Sequence, residues 1–159
     1  MNRLLCVLAL AIVGLLAPAC ATAPSSVFSP IATDVANGFS HTQWVVKYLN
    51  DGASRGGPNA PAIAQAYESL RVAYNNLGAM HVQIQNTNNV NVLYQVSSFD
   101  RLTARTSGTQ AYCLKQARSY AAKAVTALGN VAAKSGSFPS EAATCAAAKA
   151  DLQAAMSGL

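Results

Sequence analysis

Two histidines, His41 and His81, four cysteines and six carboxylates are the whole stock with which this 159-residue chain could do acid–base, nucleophilic or metal chemistry. Their spacing matches none of the arrangements such chemistry uses. There is no H-E-x-x-H for zinc, no G-x-S-x-G nucleophile elbow and no C-x-x-C pair. Gly52, Gly56 and Gly57 follow a helical pattern, lack a Gly-Lys-Ser/Thr ending and make no phosphate loop. The six acids are spread over the chain, so neither a general acid–base pair nor an oxygen-ligand metal cluster is predicted. A metal or haem held between the histidines fails on arithmetic. Folded about a turn near Arg55, His41 lies level with Ser69, and His81 is ~18 Å further along the axis. The expectation is no enzyme, no cofactor and no metal: a protein that works by binding.

Two groups of side chains suit binding. His41, Trp44 and Tyr48, with Val45 beside them, lie on the face of a predicted helix opposite its apolar stripe, and exposed tryptophan and tyrosine often mark contact surfaces. The competing reading is a central helix buried on both sides. The second group is basic. Residues 24–100 hold three basic and four acidic side chains, whereas 101–134 hold Arg101, Arg105, Lys115, Arg118, Lys123 and Lys134 with no acid. Such a stripe suits an acidic polymer, an anionic membrane surface or an acidic protein, unless it is only the solvated face of a helix. Nucleic acid is the weakest partner, since Tyr112 and Tyr120 alone are available there for stacking.

The cysteines divide by compartment. Arg3 precedes an apolar run from Leu4 to Leu16, and small residues follow through Ala23, the pattern of a secretory signal peptide. The run is too short to span a bilayer of ~30 Å, and no transmembrane span is predicted in the mature chain. Cleavage is placed after Ala21, giving a leader over 1–21 and a single secreted or periplasmic domain over 22–159. Cleavage after Ala19 and a lipoprotein anchored through Cys20 are the alternatives. Loss of Cys6 and Cys20 leaves Cys113 and Cys145, which an oxidising compartment would join as one disulfide worth ~3–4 kcal/mol, with two buried thiols as the alternative.

The elements that position these residues are mainly α-helical. Hydrophobic residues make up 52% of the chain against 11% charged, 32 residues are alanine, and the net charge is only +5, which together favour one compact helical domain over disorder. Ile31, Val35, Phe39, Thr42, Val46 and Leu49 recur at helical spacing; a Gly-rich loop over 50–58 follows. A second helix is expected from an Asn59 cap with Pro61 in its first turn, buried through Ile63, Ala66, Tyr67, Leu70, Tyr74 and Leu77, and stopped by Gly78. Val82 and Ile84, then Val90, Val92, Tyr94 and Val96, alternate with polar residues, which reads as a short β-hairpin around 82–96 or as a strand followed by a helix from Asn89. Thr109 to Ala133 is helical, with Leu114, Ala117, Ala121, Ala124, Val125, Leu128 and Ala132 inward, and Cys145, Ala148, Leu152, Ala155 and Met156 mark the last helix. The fold class is a small bundle of about four helices.

One geometric conflict bears on the disulfide. A tight turn at Gly136 would set Cys145 level with Leu128, ~22 Å from Cys113, while bridged Cα atoms lie within ~7 Å. The bridge therefore requires the long helix to stop near Gly129 and the chain to run back along it to about Ala143.

Cys113, Tyr120, Ala124-Val125, Leu128 and Cys145 resemble the cysteine-bearing helices of plant inhibitors of pectin methylesterase and invertase, which are secreted helical bundles. The likeness covers about thirty-five residues, its internal spacings differ, and that family's two N-terminal cysteines have no counterpart after Ala21. It implies inhibition of an extracellular cell-wall enzyme as one alternative function. A carrier of a small apolar ligand is the other, and the main expectation is an exported, non-catalytic protein that binds a protein or cell-envelope partner through helical surfaces.

Overall fold

The computed structural model describes residues 27–87 and 107–159. The predicted leader, Cys20, Arg101, Arg105 and the 88–96 half of the predicted hairpin lie outside the described residues. Five helical segments are formed among those described: α1 (Ser29–Ala53), α2 (Ala60–Ser69), α3 (Arg71–Thr87), α4 (Gln110–Ala132) and α5 (Pro139–Ser157). Proline sits in the first turn of α1, α2 and α5, where its missing N–H costs no hydrogen bond. Because α2 and α3 are separated by Leu70 alone, they act as one interrupted rod, and the protein is a bundle of four rods. No described helix is long and apolar enough to cross a membrane.

The rods form a closed ring in which α1 packs on α4, α4 on α5, α5 on the α2/α3 rod, and that rod on α1. Neighbours run antiparallel. Asp34 meets Asn130 near one end of the α1/α4 pair, and Tyr48 meets Tyr112 near the other. Phe39 meets His81 while Gly52 faces Ile63, which sets the α2/α3 rod antiparallel to α1. It follows that the α2/α3 rod and α4 are parallel and diagonal, so α3 ends and α4 begins at opposite ends of the bundle.

α1 is the most enclosed rod. Its expected stripe, Ile31, Val35, Phe39, Thr42, Val46 and Leu49, is buried throughout, and so are Val45 and Tyr48 on its other flank. Thr42 answers its own burial by donating its hydroxyl to the Gly38 carbonyl at 2.8 Å. Asp51, a buried carboxylate, lies 3.6 Å from the Lys47 ammonium. α1 and α4 pack tightly at Gly38, where a Cβ would lie 2.5 Å from Leu128 Cδ2 and 3.0 Å from its Cγ. Leu128 is itself fully buried, so it has no empty space into which to retreat.

Three expectations are corrected. Residues 82–87 are helical, not a strand: Leu77, His81 and Ile84 are buried at helical spacing, so the local Val82/Ile84 alternation was part of a longer 3.6-residue pattern. For the same reason Gly78 does not end its helix; it is buried inside α3, and the break falls at Leu70. Lastly, the Cys113–Cys145 disulfide is absent, and both cysteines are buried without a bridge between them. α4 continues past Gly129 to Ala132, and a short turn leads to α5 at Pro139, so the chain does not run back along the helix. Cys113 packs against Gly52, whereas the Asp34 carboxylate influences Cys145. Those two landmarks are ~27 Å apart along α1, beyond any bridge. Burial, with Glu141 and Asp34 nearby, pushes the Cys145 thiol up to about 12, which keeps it protonated and unreactive.

The inward arc of α4 is also turned from the expected one. Cys113, Ala127 and Val131 are buried, while Leu114, Val125 and Ala132 are only half-buried, because α4 gives its widest contact to α1.

The close crossing yields a measurable coupling. Gly38→Ala gains helix propensity of about 1 kcal/mol but overpacks Leu128 at a cost of about 1–3 kcal/mol, so a net loss of stability is expected. Leu128→Ala alone costs about 2–5 kcal/mol. The double variant should lose less than the sum of the two, by at least about 0.5 kcal/mol in denaturant unfolding, since the new methyl enters the vacated space. Additive losses would show that the helices do not meet there.

Candidate functional site

The antiparallel α1/α4 pair brings the two predicted surfaces together along one seam. The exposed side of α1 is narrow and runs through Thr33, Asn37, Ser40 and Trp44. Trp44 is 39% exposed and, across the seam, Tyr112 is 43% exposed. Between them, the rings of Trp44, Tyr48 and Tyr120 lie 5.7, 5.9 and 6.0 Å apart, centre to centre. Three mutually equidistant rings cannot be a single column, in which the outer pair would be twice as far apart. They form a three-cornered patch, which Tyr112 extends by meeting Tyr48 edge-on at 6.3 Å and His41 by meeting Tyr120 at 5.9 Å.

Tyr112 is held by the start of its helix. Thr109 caps α4 by accepting the Tyr112 amide at 3.2 Å. Gln110 donates to the Gly52 and Gly56 carbonyls at 3.2 and 2.7 Å, clamping this end of α4 to the end of α1. Gly108 adopts φ +115°, and a Cβ there would lie 2.6 Å from the Tyr112 ring, so glycine is required both for the turn and for the ring above it.

The patch gives way to charge and then to a polar groove. Lys123 places its ammonium 5.0 Å above the Tyr120 ring, a cation–π contact worth about 0.5–1 kcal/mol at an exposed site. Beyond it, Asp34, Asn37, His41, Lys123, Thr126 and Asn130 line an open groove of about 320 Å³. Asp34 is occupied, accepting from Asn130 at 3.1 Å and pairing with Lys134 at 3.8 Å. His41 Nδ1 is buried without a hydrogen-bond partner.

Among the described residues, the predicted basic side chains do not line one stripe. Lys123 belongs to the α1 side of α4, whereas Arg118 lines a separate groove of about 380 Å³ between α4 and α5, beside Val125, Leu152 and Met156. Lys115 is exposed between the two. At 100° per residue Arg118 and Lys123 are ~140° apart around the helix, which separates them. Of the predicted aromatic face, Trp44 is open, His41 half-buried, and Tyr48 and Val45 are core. The part that sequence reading left unjoined is the meeting of Trp44 and Tyr48 with Tyr112 and Tyr120. Its signal was present as aromatics at matching heights on two rods, but only the pairing of α1 with α4 reveals it. The described residues contain no group of three His, Cys, Asp or Glu able to hold a metal. Comparison with protein-family models, curated proteins and solved structures finds no match.

Both histidines are held below the usual 6.5, His41 by burial and then by the Lys123 charge, His81 by burial. Their protonated forms are disfavoured in the folded state, so this contribution to stability is present above about pH 6.5 and is lost as pH falls through that range. Burial, followed by Tyr112 and Tyr120, raises the Tyr48 hydroxyl above its ordinary value. Lys123→Met should move the His41 pKa back toward 6.5 in an NMR titration while leaving that of His81 unmoved. An unchanged His41 would mean that Lys123 does not lie over this end of the groove.

Proposed function

We propose that this is an exported, non-catalytic binding protein whose α1/α4 seam engages a protein or cell-envelope partner. The observation that carries the reading is the exposure of Trp44 and Tyr112 at the edge of a packed aromatic patch. Aromatic side chains anchored on rigid helices contribute large contact area at small entropic cost, which is the property of an interface anchor. The leader-like run from Leu4 to Leu16 supports export, and the missing Cys113–Cys145 bridge takes away a second support for it. The absence of catalytic motifs from the sequence and the mixed aromatic, basic and polar lining of the seam favour recognition over chemistry.

The reading is tested on Trp44. Acrylamide should quench its fluorescence efficiently in the free protein, and addition of the native extracellular or envelope fraction should slow that quenching. Trp44→Ala and Tyr112→Ala should weaken retention on that fraction by about tenfold each, measured where both variants are still folded, since losing their ring contacts also costs about 0.5–1.5 kcal/mol of stability. Retention unaffected by either substitution would refute the seam as the contact surface.

A further inference from the structure

We propose that the seam binds an acidic saccharide, a chain of sugars bearing carboxylates. The assignment deepens the binding-face reading and rests on it. Three chemistries follow one another along the seam in the order such a ligand presents them. At the rim of the aromatic patch the Trp44 indole, backed by Tyr48 and Tyr120, is exposed and offers apolar ring surface. A pyranose has one face of C–H groups that lies well against such rings. Next to the patch stand Lys123, whose ammonium is 5.0 Å from the Tyr120 ring centre, and His41, whose ring is 5.9 Å from it. The nearest carboxylate in the groove, Asp34, is already engaged by Asn130 and Lys134, which leaves Lys123 available to an external anion. Beyond the cation, the Asn37 amide and the oxygens of Thr126 and Asn130, whose own donors go to Ala122 and Asp34, supply neutral groups that ring hydroxyls can bond. The groove's volume of about 320 Å³ lies at the small end of ligand pockets and suits a sugar unit. A chain of acidic residues would satisfy Lys123 and could bond the groove's amides, but it has no flat C–H face to lay against Trp44.

The test uses the whole protein and four probes: an oligomer of hexuronic acid, the neutral hexose oligomer of equal length, poly-glutamate, and vesicles with an anionic headgroup. Trp44 fluorescence and amide chemical shifts report the site. The uronate oligomer should perturb Trp44 and the amides of Asn37, His41, Lys123 and Asn130, and should bind about tenfold or more tightly than the neutral oligomer. Lys123→Gln should erase that difference, and Trp44→Ala should weaken both sugars. Because Trp44 is partly packed, Trp44→Phe serves as a second variant that keeps a ring and should retain binding. Poly-glutamate or vesicles binding as well as the uronate would overturn the saccharide in favour of charge alone. No response to the uronate would also overturn it. If Trp44 quenching is then still slowed by the envelope fraction, the seam remains a contact surface for another partner and only the saccharide assignment falls.

Discussion

The approach of α1 to α4 at Gly38 and Leu128 fixes the rest of this structure. With no Cβ at Gly38, the fully buried Leu128 sits against the α1 backbone. That contact sets the antiparallel register of the two rods, and everything at their seam follows. Asp34 falls beside Asn130, His41 beside Tyr120 and Lys123, Tyr48 beside Tyr112, and Gly52 beside Cys113. One turn of slippage would shift these partners by 5.4 Å along the axis. The same register that closes the core therefore assembles the aromatic patch, places a lysine at its edge and carries the two cysteines to opposite ends of the bundle.

Helical periodicity in the sequence is informative wherever one face is buried. The stripe from Ile31 to Leu49 and that from Ile63 to Leu77 identify their inward faces correctly, apart from the half-buried Tyr67. Short windows misled. Val82 and Ile84 look like a strand over four residues, but the pattern reaching back to Leu77 is helical. Gly78 resembles a stop because glycine often follows a helix, whereas here tertiary packing around Met80, His81 and Ile84 outweighs its ~1 kcal/mol helix penalty. The disulfide was inferred from compartment, and distance overrules that inference. α4 and α5 are alanine-rich, so their inward arcs are weakly marked, and the true arc of α4 could be found only from its partner.

The candidate site was legible as two lists of residues and illegible as one place. Trp44 and Tyr48 on one rod, and Tyr112, Tyr120 and Lys123 on another, are more than sixty residues apart, and nothing local says that these rods are neighbours. The ring order does, since α1 borders α4 while the α2/α3 rod lies diagonal to it. The consequence is a seam that passes from aromatic to cationic to polar, positioned by a capped, clamped helix start. The proposed acidic saccharide is the ligand that would bring an apolar ring face, a carboxylate and hydroxyls to those three regions.

The most direct measurement is site-specific photocross-linking in the producing cell. A photoreactive side chain at Tyr112 is compared with one at Val72, which is 66% exposed on α3, away from the seam. The account predicts an adduct from position 112 and none from position 72; adducts from 72 alone, or equally from both, would contradict it.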